Sequence, residues 1–135
     1  MDLVKEVDYL MADFLAGKDT EMPIFLRCGS TDMRKSINGL AIIVDKVLKL
    51  DPFLEAFFVF CNHKKDKLKI LRWGENGFWL HYKRLEKGHF NWPQSEKKDT
   101  MEVSAEDFQW ILDSAKNHHR SRKVSTDSTG KWKVI

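Results

Sequence analysis

Between Leu3 and Leu15 the apolar residues Leu3, Val7, Leu10 and Phe14 recur at helical spacing. Val4, Met11 and Leu15 widen the stripe and Gly17 closes it, so the pattern predicts a short amphipathic helix. After Pro23, the run Ile24-Phe25-Leu26-Arg27-Cys28 reads as a strand. The clearest helical pattern comes next. Ile37, Leu40, Ala41, Val44, Val47 and Leu48 share one face of a helix predicted from about Asp32 to Leu50, with Thr31 as its N-cap and Asp51-Pro52 as its stop. Gly39 inside such a helix costs about 1 kcal/mol relative to Ala, which predicts close approach of a neighbouring element there.

Ala56-Phe57-Phe58-Val59-Phe60-Cys61 is a short run of β-favouring apolar residues, as expected of a strand covered on both faces. Lys67–Trp73 and Phe78–Leu85 flank Gly74-Glu75-Asn76-Gly77, which predicts a β-hairpin. Alternation puts Leu71, Trp73, Phe78, Leu80 and Tyr82 on one side of it, and Leu68, Ile70, Arg72, Trp79, His81 and Lys83 on the other. Gln94 to Thr100 is polar throughout and reads as a loop. Met101–Val103 predicts a short strand, and Ser104 opens a helix with Asp107 at the capping-box position and Phe108, Ile111, Leu112 and Ala115 on one face. The expected fold class is therefore α+β: a mainly antiparallel sheet with a central β-hairpin, packed against a long amphipathic helix and a C-terminal helix.

A chain of 135 residues with 42% hydrophobic and 32% charged residues suits one domain. The expected division is an N-terminal helical extension over residues 1–22, an α+β domain over 23–116, and a basic, disordered tail over 117–135. Net charge is only +3, but its layout is uneven. Six acids face two lysines before Pro23, whereas from Lys116 onward six basic residues face Asp127 alone. A basic tail either favours polyanions or is simply a solvated end. With no long apolar run and no signal-peptide pattern, the expected location is cytoplasmic, with no membrane partner. Cys28 and Cys61 fit no zinc spacing and read as reduced, packed thiols, a disulfide being the alternative.

Catalytic chemistry finds little support. Metal-dependent phosphoryl transfer needs convergent carboxylates, and the predicted strands are almost free of acids. Cys61 with His63, and His118 with His119, match no metal-ligand spacing, and no Gly-rich phosphate loop is present, so no metal or cofactor is expected. The positive signal is basic and aromatic. Lys64, Lys65, Lys67, Lys69, Arg72, Lys83, Arg84 and Lys87 crowd the hairpin region among Trp73, Trp79 and Tyr82, a mixture suited to phosphate contact and base stacking. The plainer reading is a sheet edge guarded by lysines. Arg34 and Lys35 at the start of a helix oppose its dipole, which an anionic partner or an internal ion pair with Glu86 or another acid would offset. Ile42 projects among polar residues on the same helix, either as an ordinary exposed residue or as a docking surface. The candidate nucleic-acid or partner-binding residues are thus Arg34, Lys35, Lys67, Lys69, Arg72, Trp79, His81, Lys83 and Arg84.

Thr31-Asp32-Met33-Arg34-Lys35, followed by Gly39-Leu40, resembles the opening signature of the small Orf2-like (TnpB) accessory proteins of the insertion-sequence sixty-six family. Phe58-Val59-Phe60, Lys69-Ile70-Leu71-Arg72-Trp73, Gly77-Phe78, Tyr82-Lys83-Arg84-Leu85-Glu86, Gly88, Phe90 and Trp92-Pro93 stand in the order and spacing of that family. Ser36 in place of a common glycine, and Cys61-Asn62-His63 in place of a more arginine-rich stretch, depart from it. The resemblance implies a role in transposition beside a separate, larger transposase. The expected function is a non-catalytic accessory factor that binds element DNA, the partner transposase, or both. The alternatives are a protein adaptor without DNA contact and a metal-dependent nuclease.

Overall fold

The computed structural model describes residues 22–115 together with two short strands at 124–126 and 132–134. The helix expected over Leu3–Leu15 lies outside the described residues. The main sheet has five strands: β1 (Ile24–Arg27), β2 (Phe57–Cys61), β3 (Lys67–Gly74), β4 (Gly77–Arg84) and β5 (Thr100–Val103). Their spatial order is β4-β3-β2-β1-β5. β1 and β2 run parallel, joined across helix α1 (Ile37–Lys46), and the other pairings are antiparallel. Helix α2 (Ala105–Asp113) follows β5.

The sheet is buried on both sides because its central strand is apolar on both. All five residues of β2 are buried. Phe58 and Phe60, with Leu71, Phe78 and Leu80, face Leu40, Val44 and Leu48 of α1 and its C-terminal end. Phe57, Val59 and Cys61, with Leu68 and Ile70, face Phe108, Ile111 and Leu112 of α2 and the buried rings of Phe90 and Trp92. Trp92 is placed by its indole Nε1, which donates to the Arg27 carbonyl at 2.9 Å. Both cysteines are free thiols, and burial pushes Cys28 up and Cys61 up to about 12.

The hairpin forms in the expected parity, with Gly74 opposite Gly77 and Glu75-Asn76 as the turn. Glu75 takes a left-handed φ of 40°, as the first position of a primed turn requires. Ser104 caps α2, its Oγ accepting from the Asp107 N–H at 3.0 Å.

Two expectations are corrected. The long helix of 32–50 is a ten-residue helix, Ile37–Lys46. Asp32 closes a separate turn instead, accepting the Arg34 N–H at 2.9 Å, while the Lys35 N–H reaches the Asp32 carbonyl at 3.2 Å. Ser36 is then extended, and beyond the helix Lys49 at φ 58° and the Leu50 N–H returning to Val44 O turn the chain away. The N-cap position is Ser36 rather than Thr31. Second, the group that a Cβ at Gly39 would meet is the Lys35 side chain at 3.2 Å, from the preceding turn, not a neighbouring element. From residue 117 onward, β6 (Val124–Thr126) and β7 (Trp132–Val134) pair antiparallel, with β-favouring residues on either side of Gly130.

Candidate nucleic-acid interface

The register of β3 with β4 divides the seven candidate residues on these strands between the two sides of the sheet. Lys67 lies directly opposite Arg84 and Lys69 opposite Tyr82, on the α1 side of the sheet. Arg72 lies opposite Trp79 and Ile70 opposite His81, on the α2 side and nearer the hairpin tip. Arg72 lies five residue steps along the strand from Lys67, roughly 16 Å at strand rise.

At the Lys67–Arg84 end the cations gather. The Lys69 ammonium donates to the Met33 carbonyl at 2.8 Å and to the Lys35 carbonyl at 2.8 Å, which fastens the Asp32–Lys35 turn to β3. Lys69 also lies 5.5 Å from the centre of the Tyr82 ring. Arg34 and Lys35 are brought beside the hairpin by this strap. The second wall is the turn between β2 and β3. Asn62 Oδ1 accepts the N–H groups of Asp66 and Lys67, and its Nδ2 donates to Asp66 Oδ1. The Leu85 N–H reaches Asp66 O and the Phe90 N–H reaches Lys65 O, both at 2.7 Å, so Lys87 joins the same end of the sheet.

Several of these cations already have acids. Arg34 grips Asp32 with Nη2–Oδ2 at 2.7 Å, Arg84 holds Glu86 at 2.8 Å, and Lys67 lies 4.0 Å from Asp66. The internal ion pair expected for Arg34 thus exists, with Asp32 rather than Glu86. That guanidinium draws the Asp32 carboxyl down to about 2, and the Asn62 amide lowers Asp66. Among the described residues, Lys35, Lys64, Lys65 and Lys87 have no acidic partner within 4.0 Å. This end therefore carries an excess of positive charge.

On the other side, Arg72, Trp79 and His81 form a stacked array. The guanidinium lies 5.2 Å from the centre of the Trp79 ring, Trp79 and His81 are 5° from parallel, and Arg72 Nε approaches His81 Nε2 at 3.4 Å. Trp79 is 55% exposed. Gly74 allows this arrangement, because a Cβ there would meet the Trp79 ring at 3.0 Å. Lys83 does not join the array as expected. It lies opposite Leu68, where the alternation turns it toward the core beneath α2, and it is only 8% exposed.

Reading the sequence missed three features. Thr31 is buried, with a hydroxyl that has no hydrogen-bond partner among the described residues. His63 and Lys64 line the same groove as Thr31. An open apolar groove of about 930 Å³ runs between α1 and the segment after it, lined by Ala41, Ile42, Leu50, Pro52, Phe53 and Phe78 among polar residues. The position of Ile42 off the apolar stripe hinted at that groove. Phe53, packed edge-on against Trp73 at 5.0 Å, gave no periodic signal. Among the described residues no helix is long and apolar enough to cross a membrane.

Residues 22–122 match the family model described as IS66 Orf2 like protein, and the chain belongs to that family of transposition accessory proteins. It is 38% identical over 73 residues to the uncharacterized protein y4hO of Sinorhizobium fredii, covering 54% of this chain and 64% of that one. It is 30% identical over 98 residues to the uncharacterized protein y4jC of the same organism, covering 73% of this chain and 83% of that one. The chain thus spans somewhat less than two thirds of y4hO. No solved structure matches it significantly. Membership associates the chain with the transposition machinery.

Proposed function

We propose that the protein is a non-catalytic accessory factor that holds the phosphate backbone of element DNA at the basic end of its sheet. The observation that carries this reading is the Lys69 strap. It gathers the Arg34–Lys35 turn and the Lys67–Arg84 pair into one surface, beside lysines that have no acid within 4.0 Å among the described residues. Such a surface binds through counterion release, with little dependence on sequence. The Arg72–Trp79–His81 array on the reverse side offers a stacking partner for an unpaired base. Replacing Lys35, Lys64 and Lys67 by glutamine should weaken duplex affinity across all sequences and flatten its salt dependence. Unchanged affinity in the folded triple variant would remove the basic end from the reading.

A second reading, contact with the transposase, is favoured by the apolar groove, where Ile42 is 60% and Phe53 57% exposed. Co-purification with the transposase that survives nuclease treatment and is lost in Ile42→Glu or Phe53→Glu would support it. Retention by both variants would count against it.

A further inference from the structure

We propose that the groove between the Ser30–Met33 loop and the Asn62–Lys67 turn is a seat for one phosphate group, supplied by the DNA backbone. The proposal deepens the DNA reading above and rests on it for the source of the phosphate. The groove measures about 430 Å³ and is lined by Thr31, Asp32, Asn62, His63, Lys64 and Lys67 among others. It lies beyond the carboxyl ends of the parallel pair β1 and β2, the place where parallel strands leave a crevice between their outgoing loops. Its size exceeds that of a phosphate, leaving room for the flanking sugars.

Both walls are fixed. The Thr31 N–H donates to the Cys61 carbonyl at 2.8 Å, joining the two loops directly. Asn62 closes its own turn with three side-chain hydrogen bonds, which sets Lys64 and Lys67 on that wall. His63 and Lys64 are exposed on the rim, and Asp32, the groove's acid, is already covered by the Arg34 guanidinium. Lys67 is balanced by Asp66 at 4.0 Å, which leaves Lys64, with no acid within 4.0 Å among the described residues, to tip the groove toward an anion.

Thr31 is the feature that an ordinary basic surface leaves unexplained. Its side chain lines the groove, yet its Oγ1 is buried without a hydrogen-bond partner among the described residues. Buried hydroxyls are normally paired, and an unpaired one on a residue that lines a basic groove is a donor suited to a phosphate oxygen. One χ1 step, which exchanges hydroxyl and methyl, changes the direction in which it is offered.

The test uses the full chain, with amide chemical shifts followed by NMR during separate titrations with inorganic phosphate, a nucleoside monophosphate and a short duplex. DNA affinity and melting temperature are measured for wild type, Thr31→Val and Lys64→Gln. Saturable shifts centred on Thr31, Asp32, His63 and Lys64 are expected with the duplex. Thr31→Val should weaken duplex affinity about 5- to 10-fold, the loss of one charge-assisted hydrogen bond partly replaced by water. Its melting temperature should hold or rise, because the variant replaces an unpaired hydroxyl with a methyl of the same shape. A lower melting temperature with unchanged affinity would make the hydroxyl structural and overturn the seat. Lys64→Gln, an exposed change, probes the same groove without risk to the fold. If the wild type binds DNA while both variants bind equally well and these amides stay still, the seat fails and the DNA reading stands. If only the small phosphates move these amides, the seat stands with a free phosphate as its source and the DNA reading fails.

Discussion

Replacing Lys69 by methionine keeps the aliphatic stem and removes the ammonium that spans Met33 O and Lys35 O at 2.8 Å each. A hydrogen bond to a charged group contributes about 1.5–3 kcal/mol when buried. Here the bond to Lys35 is exposed and that to Met33 is part-buried, so water restores much of the loss. The contact with Tyr82 adds at most about 0.5–1 kcal/mol at an exposed site. Together these give a destabilisation of about 1–2 kcal/mol, read as a lower urea midpoint with an unchanged m-value. For a domain of this size the melting temperature should fall by roughly 4–10 °C. Duplex affinity should fall too, because the turn holding Arg34 and Lys35 is no longer fastened to β3. The diagnostic is coupling: Lys35→Gln should cost less affinity in the Lys69→Met background than in the wild type. An unchanged urea midpoint together with additive losses of affinity would refute the strap and make Lys69 a direct phosphate contact.

Gly39→Ala gains about 0.5–1 kcal/mol of helix propensity but sets the new Cβ 3.2 Å from the Lys35 Cβ, an atom fixed to the backbone of the strapped turn, so the urea midpoint should not rise; a higher midpoint would show that the turn yields. Asp32 is held at about 2 by Arg34, so the stabilisation from this pair is complete above the ordinary carboxylate value of 3.8 and is lost as pH falls through about 2. Carboxyl NMR titration should find that midpoint in the wild type and a return toward 3.8 in Arg34→Gln; a wild-type midpoint near 3.8 would contradict the pairing. Trp79→Ala should leave duplex binding nearly unchanged while weakening single-stranded DNA by about 1–3 kcal/mol if a base stacks on the array; equal affinity of both proteins for single strands would exclude that role.

The hairpin was legible because period-two alternation and the Gly74–Gly77 bracket specify register locally, down to which residues share a side. The start of α1 was misjudged for an equally local reason. The apolar stripe begins only at Ile37, and Asp32 can cap either a helix or a turn; the Arg34 guanidinium, which binds the carboxylate from two residues on, goes with the turn. Strand order, including the parallel pairing of β1 with β2, depends on contacts across long stretches of chain and left no local trace.

The candidate interface shows the same division. The crowding of cations around the hairpin was plain in the sequence, and so was the common side of Arg72, Trp79 and His81. Which lysines are spent on structure was not. Lys69 became a strap because the Asp32–Lys35 turn ends beside β3, and Lys83 was buried because its cross-strand neighbour Leu68 belongs to the core under α2. Thr31 read as a helix cap, but the cap position lies five residues later, at Ser36.

The salt dependence of affinity for duplex DNA from the element ends tests the central claim most directly. Lys35, Lys64, Lys65 and Lys87 at one sheet end, with Lys67 beside them, should engage about four phosphates, giving a slope of log Kobs against log salt near about −3.6. The Lys35, Lys64 and Lys67 glutamine triple variant should lower the magnitude of that slope by about two, with its fold intact. Wild-type protein that is well folded, fails to bind duplex DNA at low salt and still holds the transposase would contradict the account and leave a protein adaptor in its place.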